Sequence, residues 1–145
     1  MKLKVKKLRE NAVIPSRATA GSAGCDLFAC IDSDIVIKKG EIVKIPTGIA
    51  VQPDSDGVAL LIYARSGLAS KFGITLANCV GVVDSDYRGE IIVPLINLGN
   101  ADFTVEKGSR IAQLVLTPVI LPEIDEVSEL SDTARGEGGF GSTGK

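Results

Sequence analysis

The sequence predicts an all-β domain, a jelly-roll-like barrel or sandwich with one short helix. Three observations carry that prediction. The apolar segments are short and rich in β-branched residues. They recur at a spacing of roughly ten residues, with Gly, Pro, Asn and Asp between them. Only the stretch from Ser66 to Phe72 looks helical. At 145 residues, 45% of them hydrophobic, the chain is one domain's worth of sequence with room for a core.

Taken in order, strands are predicted at Leu3–Lys7, Asp26–Ala29, Ile35–Lys38, Ile42–Ile45, Gly48–Gln52 and Val58–Ala64. They continue at Thr75–Val80, Glu90–Asn97, Phe103–Val105 and Arg110–Val119. The breaks fall at Lys39-Gly40, Pro46-Thr47-Gly48, Pro53 to Gly57, Leu98-Gly99-Asn100 and Lys107-Gly108. Ser66 is a suitable N-cap for the helix, and Gly73 a suitable stop. The apolar runs on either side of Gly81–Glu90 predict a β-hairpin with that polar segment as its turn. From Leu121 to Asp132 the chain is acidic and irregular. Beyond it, glycines at 136, 138, 139, 141 and 144 exclude a regular strand or helix. The division is a β-domain over residues 1–134 and a glycine-rich arm over 135–145. Phe140 is the odd residue of that arm, because a purely solvating tail has no use for an aromatic ring.

Composition narrows the function. A net charge of −2 argues against broad binding to a nucleic-acid backbone. The basic N-terminus is followed by no unbroken apolar segment, so neither a signal peptide nor a membrane span is expected. Cys25, Cys30 and Cys79 are odd in number and lack Cys-x-x-Cys spacing, which predicts reduced thiols in a cytoplasmic protein. Histidine is absent, which removes His-dependent triads and histidine zinc ligands. Chemistry is left to carboxylates, arginines, hydroxyls, backbone amides or a bound metal.

Four places could carry it. Asp84, Asp86, Tyr87 and Arg88 fall together between Gly81 and Glu90, although Asp, Ser and Gly are also ordinary turn residues. Arg65-Ser66-Gly67 lies where a strand runs into the helix, either as an anion site or as a simple cap beside a surface arginine. Asp26 opens a strand. Arg110 and Gln113 share an otherwise apolar strand at positions of opposite parity. Either a bulge re-aims one of them or they serve different sites. Arginines at 65, 110 and 135 with a separate carboxylate cluster suit a polyphosphate with magnesium, an ion that binds oxygen and is often held largely through substrate phosphates. A Walker A match from Gly139 to Lys145 is set aside. That loop needs a strand before it, Ser or Thr after the lysine and a helix opening there.

Five ordered segments resemble the motifs of the homotrimeric dUTPase family. They are Ala23-Gly24-Cys25-Asp26-Leu27, Ala64-Arg65-Ser66-Gly67-Leu68-Ala69, the whole of Gly81–Glu90, Lys107–Leu114, and Arg135–Gly144. The resemblance implies a jelly-roll-like homotrimer whose sites combine motifs from different subunits, closed by the C-terminal arm. It implies hydrolysis of dUTP to dUMP and pyrophosphate, which limits uracil in DNA and supplies dUMP for dTMP synthesis. Asp84 would be the base that activates water against the α-phosphorus. Tyr87 would pack under the deoxyribose and reject a 2′-hydroxyl. Asn78 and the backbone of Val82, Val83 and Ile92 would recognise uracil. Arg65, Ser66, Gly67, Arg110 and Gln113 would hold the phosphates. Arg135 and Ser142 would join them, with Phe140 stacked on the uracil and Gly141 also binding the substrate. Asp26 would stand near Mg2+, through water. Only the family pattern favours Asp84 over Asp86.

Two departures are visible: Phe72 stands where many relatives carry histidine, and Val82-Val83 varies within an apolar pair. The related dCTP deaminases share the fold, but have a glutamate base and lack the Asp-x-Asp-Tyr turn. Zinc-dependent cytidine deaminases are excluded by the missing ligands.

Overall fold

The computed structural model describes residues 1–139. It contains eleven strands and one helix. The strands are β1 (Leu3–Lys7), β2 (Cys25–Phe28), β3 (Ile35–Ile37), β4 (Ile42–Pro46), β5 (Ile49–Pro53) and β6 (Val58–Tyr63). After helix α1 (Ser66–Phe72) come β7 (Ile74–Leu76), β8 (Gly81–Val83), β9 (Ile92–Asn97), β10 (Phe103–Val105) and β11 (Arg110–Pro118). All pairings are antiparallel. They form a four-stranded sheet in the order β2-β11-β6-β8, a three-stranded sheet β4-β9-β7, and the pairs β1-β5 and β3-β10.

The jelly-roll-like, mostly β architecture matches the expectation, and the alternation explains it. In β9, Val93, Leu95 and Asn97 point inward, with Ile92, Pro94 and Ile96 more open. In β1, Lys4 and Lys6 face out while Leu3 and Val5 pack against the core. Buried side chains from all four sheets converge: Leu27, Leu60 and Leu114; Ile45, Leu76 and Leu95; Ile49; and Ile37 with Val105. Short strands each bury only a few side chains, so they hold together by sharing one interior.

The hairpin expected across Gly81–Glu90 is only partly present. Its stem exists, because β7 pairs with β9 from Ile74 opposite Asn97 to Leu76 opposite Leu95. Ala77 N–H still bonds the Pro94 carbonyl of β9 at 2.8 Å, and beyond it the chain leaves that sheet. Cys79 N–H bonds to the Leu76 carbonyl at 3.1 Å, and Val80 N–H to the Asn78 carbonyl at 2.7 Å. Cys79 itself takes a positive φ of 63°. The extra strand β8 then crosses to pair with β6. Gly81 permits this approach, since a Cβ there would stand 3.1 Å from the Ile62 Cβ. An apolar run shows that a segment is buried, but not which sheet receives it.

Helix α1 also begins one residue away from the expected cap. Arg65, extended at φ −88° and ψ 129°, holds the N-cap position without a side-chain cap, and Ser66 is the first helical residue. The Arg65 carbonyl accepts the N–H groups of Leu68 and Ala69. Gly73 does end the helix, in the left-handed region at φ 71°, donating to the Ala69 carbonyl.

Asn97, fully buried, ties the loop after β9 to β3. Its Nδ2 donates to the carbonyls of Ile37 at 2.9 Å and Ala101 at 2.8 Å. Its Oδ1 accepts Gly99 N–H at 2.9 Å. Asn97→Leu strips three backbone groups of their partner at once. It is expected to destabilise the fold by about 2–3 kcal/mol, measured by urea unfolding at fixed protein concentration.

Candidate active site

Two clefts contain most of the candidate residues. The first, of about 340 Å³, is lined by Ser22, Ala23, Gly24, Asp26, Arg65, Ser66, Gly67, Arg110 and Gln113, among others. It unites three segments far apart in sequence, because β2, β11 and β6 are neighbours. The register aligns Asp26 with Gln113 and Gln113 with Tyr63, in one row across the sheet. Asp26 links the two arginines. Its Oδ1 accepts Arg65 Nε at 3.1 Å and its Oδ2 accepts Arg110 Nη1 at 3.2 Å. The Asp26 side chain is 15% exposed, so this bridge is screened less than a surface pair.

The parity question at Arg110 and Gln113 is answered by a bulge. Arg110 lies opposite Phe28, but Ala112 lies opposite Leu27, so the register slips between Arg110 and Ala112. Both residues therefore line one cleft. Gln113 Nε2 donates to the Ala64 carbonyl at 2.9 Å, next to Arg65. Gly24 leaves room for that side chain, since a Cβ there would stand 2.6 Å from Gln113 Oε1 and push its amide aside.

The second cleft, of about 220 Å³, is lined by Val82, Val83, Asp84, Tyr87, Glu90, Ile91 and Ile92. Asp84 to Tyr87 is a tight turn, closed by Tyr87 N–H on the Asp84 carbonyl at 3.2 Å. The structure separates the two aspartates: both are exposed, but only Asp84 lines the cleft. Val82, Tyr87 and Ile92 are exposed apolar or aromatic side chains there. Asn78 is not among the lining residues, although its Nδ2 approaches Gly81.

Two supports of this loop were not anticipated from the sequence. Arg88 Nη1 donates to the carbonyls of Ser85 at 2.7 Å and Tyr87 at 2.9 Å, bracing the turn. Glu90 Oε1 accepts Gly48 N–H at 2.7 Å. Local sequence carries no signal for the second contact, since the partners are 42 positions apart.

The clefts lie toward opposite ends of β6. Val83 is opposite Leu60, so Asp84 follows at the level of Ala59, whereas Arg65 lies past the other end of the strand. Along an extended strand, Ala59 to Arg65 covers roughly 20 Å. Arg135 lines neither cleft and its Nε donates to the Gly138 carbonyl at 2.7 Å. Phe140, Gly141 and Ser142 lie outside the described residues. The described residues contain no group of three or more His, Cys, Asp or Glu able to hold a metal. They also contain no helix long and apolar enough to cross a membrane. All three cysteines are free thiols.

The dUTPase family model matches residues 10–144. The chain belongs to the dUTPase family. It is an enzyme of the hydrolase class, concerned with nucleotides. It is 54% identical to the deoxyuridine 5′-triphosphate nucleotidohydrolase of Nautilia profundicola, over the full length of both chains. It is 51% identical to the enzyme of the same name from Desulfitobacterium hafniense, covering 99% of this chain and 97% of that one. Among solved structures it is similar to a mutant dUTPase of Staphylococcus bacteriophage 80alpha with dUpNHpp, at 30% identity and TM-score 0.88, covering 99% of each chain. A mutant dUTPase from phage phi11 of S. aureus, described with a structural Mg(II) ion, matches at 26% identity and TM-score 0.80 over 89% of this chain and 98% of that one.

The Asp26 bridge predicts its own test. Asp26→Ala leaves two guanidinium groups without their common counter-charge. It is expected to lower stability by about 1 kcal/mol, a value discounted for the exposure of the arginines, as a reduced midpoint of thermal unfolding.

Proposed function

We propose that the chain hydrolyses dUTP to dUMP and pyrophosphate, at sites assembled between copies in a homotrimer. The observation that carries this reading is the division of the family's motifs into two unlike clefts on one chain. One is cationic and suits phosphates. The other sets the side chains of Val82, Tyr87 and Ile92 beside the carboxylates of Asp84 and Glu90, and suits a base and sugar. A triphosphate cannot bridge roughly 20 Å of strand, so one copy would offer Asp84 and Tyr87 to the arginines of another. Apolar exposure supports association as well. Ile120, Leu121, Ile124, Val127 and Leu130 all lie exposed after β11, an expensive arrangement for an isolated chain.

In this reading uracil is recognised by backbone. β8 is the edge strand of its sheet, so the backbone groups of the Val82–Val83 segment that point away from β6 remain open. Ile92 pairs with Pro46 on one side, while β7 extends only to Leu76, opposite Leu95. Two open edges with fixed donors and acceptors can imitate a pairing base, and they penalise cytosine by leaving buried groups unpaired. Asn78 stands beside Gly81 to assist. Tyr87 lies under the deoxyribose and leaves no room for a 2′-hydroxyl.

Asp84 orients and deprotonates the water that attacks the α-phosphorus. The α-phosphorus to bridging-oxygen bond breaks, pyrophosphate departs, and the charge passes to oxygens faced by Arg65, Arg110, Gln113 and the amides of Ser66 and Gly67. Asp26 positions both arginines. Its oxygens are already engaged by them, which suits contact with magnesium through water better than direct ligation. Magnesium, held mainly by the substrate's own phosphates, would supply charge neutralisation there. The arm over residues 135–145 would bring Arg135, Phe140, Gly141 and Ser142 onto the nucleotide.

The direct assay offers dUTP, dCTP and UTP with magnesium and measures pyrophosphate and ammonia. Pyrophosphate from dUTP alone is expected, whereas ammonia from dCTP would make the protein a deaminase. Asp84→Asn is expected to abolish turnover and retain dUTP binding, by calorimetry. The shared site makes a sharper demand. Asp84→Asn and Arg65→Ala, each inactive alone, are expected to regain activity when mixed under conditions of subunit exchange, because some hybrid sites carry both intact halves. No recovery from exchanged subunits would place both residues in one copy.

A further inference from the structure

We propose that Glu90 is a positioning residue for substrate selection, acting by holding Tyr87 in place. It lines the cleft with Tyr87, yet its carboxylate is committed to the protein. The only ion pairs among the described residues belong to Asp26, so Glu90 neutralises no basic side chain. Instead Oε1 accepts the Gly48 N–H. Its backbone carbonyl accepts the Tyr87 hydroxyl at 3.1 Å. Glu90 therefore joins the aromatic ring to the turn between β4 and β5.

That turn is a firm anchor. Gly48 has φ +69°, and a Cβ there would stand 2.5 Å from Cys30 Sγ, so its backbone is closely enclosed. The next residue strengthens the attachment. Ile91 N–H donates to the Ile49 carbonyl at 2.9 Å, and the Ile91 carbonyl accepts Thr47 Oγ1 at 2.6 Å. Without the Glu90 acceptor, the partly buried Gly48 N–H loses its partner and the Glu90 Cα loses its side-chain tether, which leaves the Glu90–Ile91 peptide held through Ile91 alone. The Tyr87 hydroxyl is bonded to that same peptide. A ring that can shift is a poorer barrier to a 2′-hydroxyl, since exclusion by shape needs a fixed wall.

This inference rests on Tyr87 as the sugar gate, so the experiment tests both separately. kcat/KM is measured for dUTP and UTP in the parent, Glu90→Ala, Glu90→Gln and Tyr87→Ala. Glu90→Ala is expected to lower the dUTP-to-UTP ratio by roughly tenfold, the scale of one lost hydrogen bond to a charged acceptor. Glu90→Gln, which keeps an acceptor oxygen, is expected to restore most of the ratio. Glu90→Asp, one methylene short of Gly48, takes the place of Glu90→Ala if that variant does not fold. A purely structural defect would depress both substrates together and leave the ratio unchanged, which overturns the proposal. So does a loss in Glu90→Gln equal to that in Glu90→Ala. If Tyr87→Ala leaves the ratio unchanged, the gate itself is refuted. If Tyr87→Ala alone changes it, only the role of Glu90 falls.

Discussion

The pairing of β6 between β11 and β8 is the constraint on which the rest depends. On one side β11 carries Arg110 and Gln113 to the C-terminal end of β6, and β2 adds Asp26 to the same row. On the other side β8 lays the Asp84 turn near the N-terminal end. Backbone hydrogen bonds fix both registers, and a slip of one residue would turn every core side chain outward. The positions of the two clefts thus follow from the same pairing that closes the core.

Each cleft meets a different physical demand. The cationic one must keep two guanidinium groups close before any phosphate arrives, and Asp26 offsets their repulsion with one bidentate carboxylate. The bulge in β11 is what lets Arg110 and Gln113 serve it together. The second cleft must leave backbone edges unpaired without inviting another strand. A three-residue β8 and a β7 that stops at Leu76 keep those edges short. Gly24 and Gly81 matter here for their missing Cβ atoms, because each sits against a side chain that lines or backs a cleft.

The expected and observed elements differ where backbone geometry outweighs pattern. Most strands, the helix and its Gly73 stop were legible, because alternation and turn residues are local signals. The crossing of β8 was not, since Val80 to Val83 is equally apolar whichever sheet it joins. Arg65 at the helix cap escaped notice because Ser66 is the more usual capping residue. Asp84 and Asp86 are chemically alike in the chain, and the fold alone sets one in the cleft and the other outside it.

By itself, the sequence determined the all-β class, the absence of histidine chemistry, and the family, through five motifs in order. These are properties of composition and of residues close together in the chain. The tertiary structure decided which motifs meet. It set Asp26 between Arg65 and Arg110, put Asp84 about a strand length away from them, and tied Glu90 to Gly48 across the fold. Those relations depend on strand register and sheet order, which arise only when distant segments bury their apolar faces in one core.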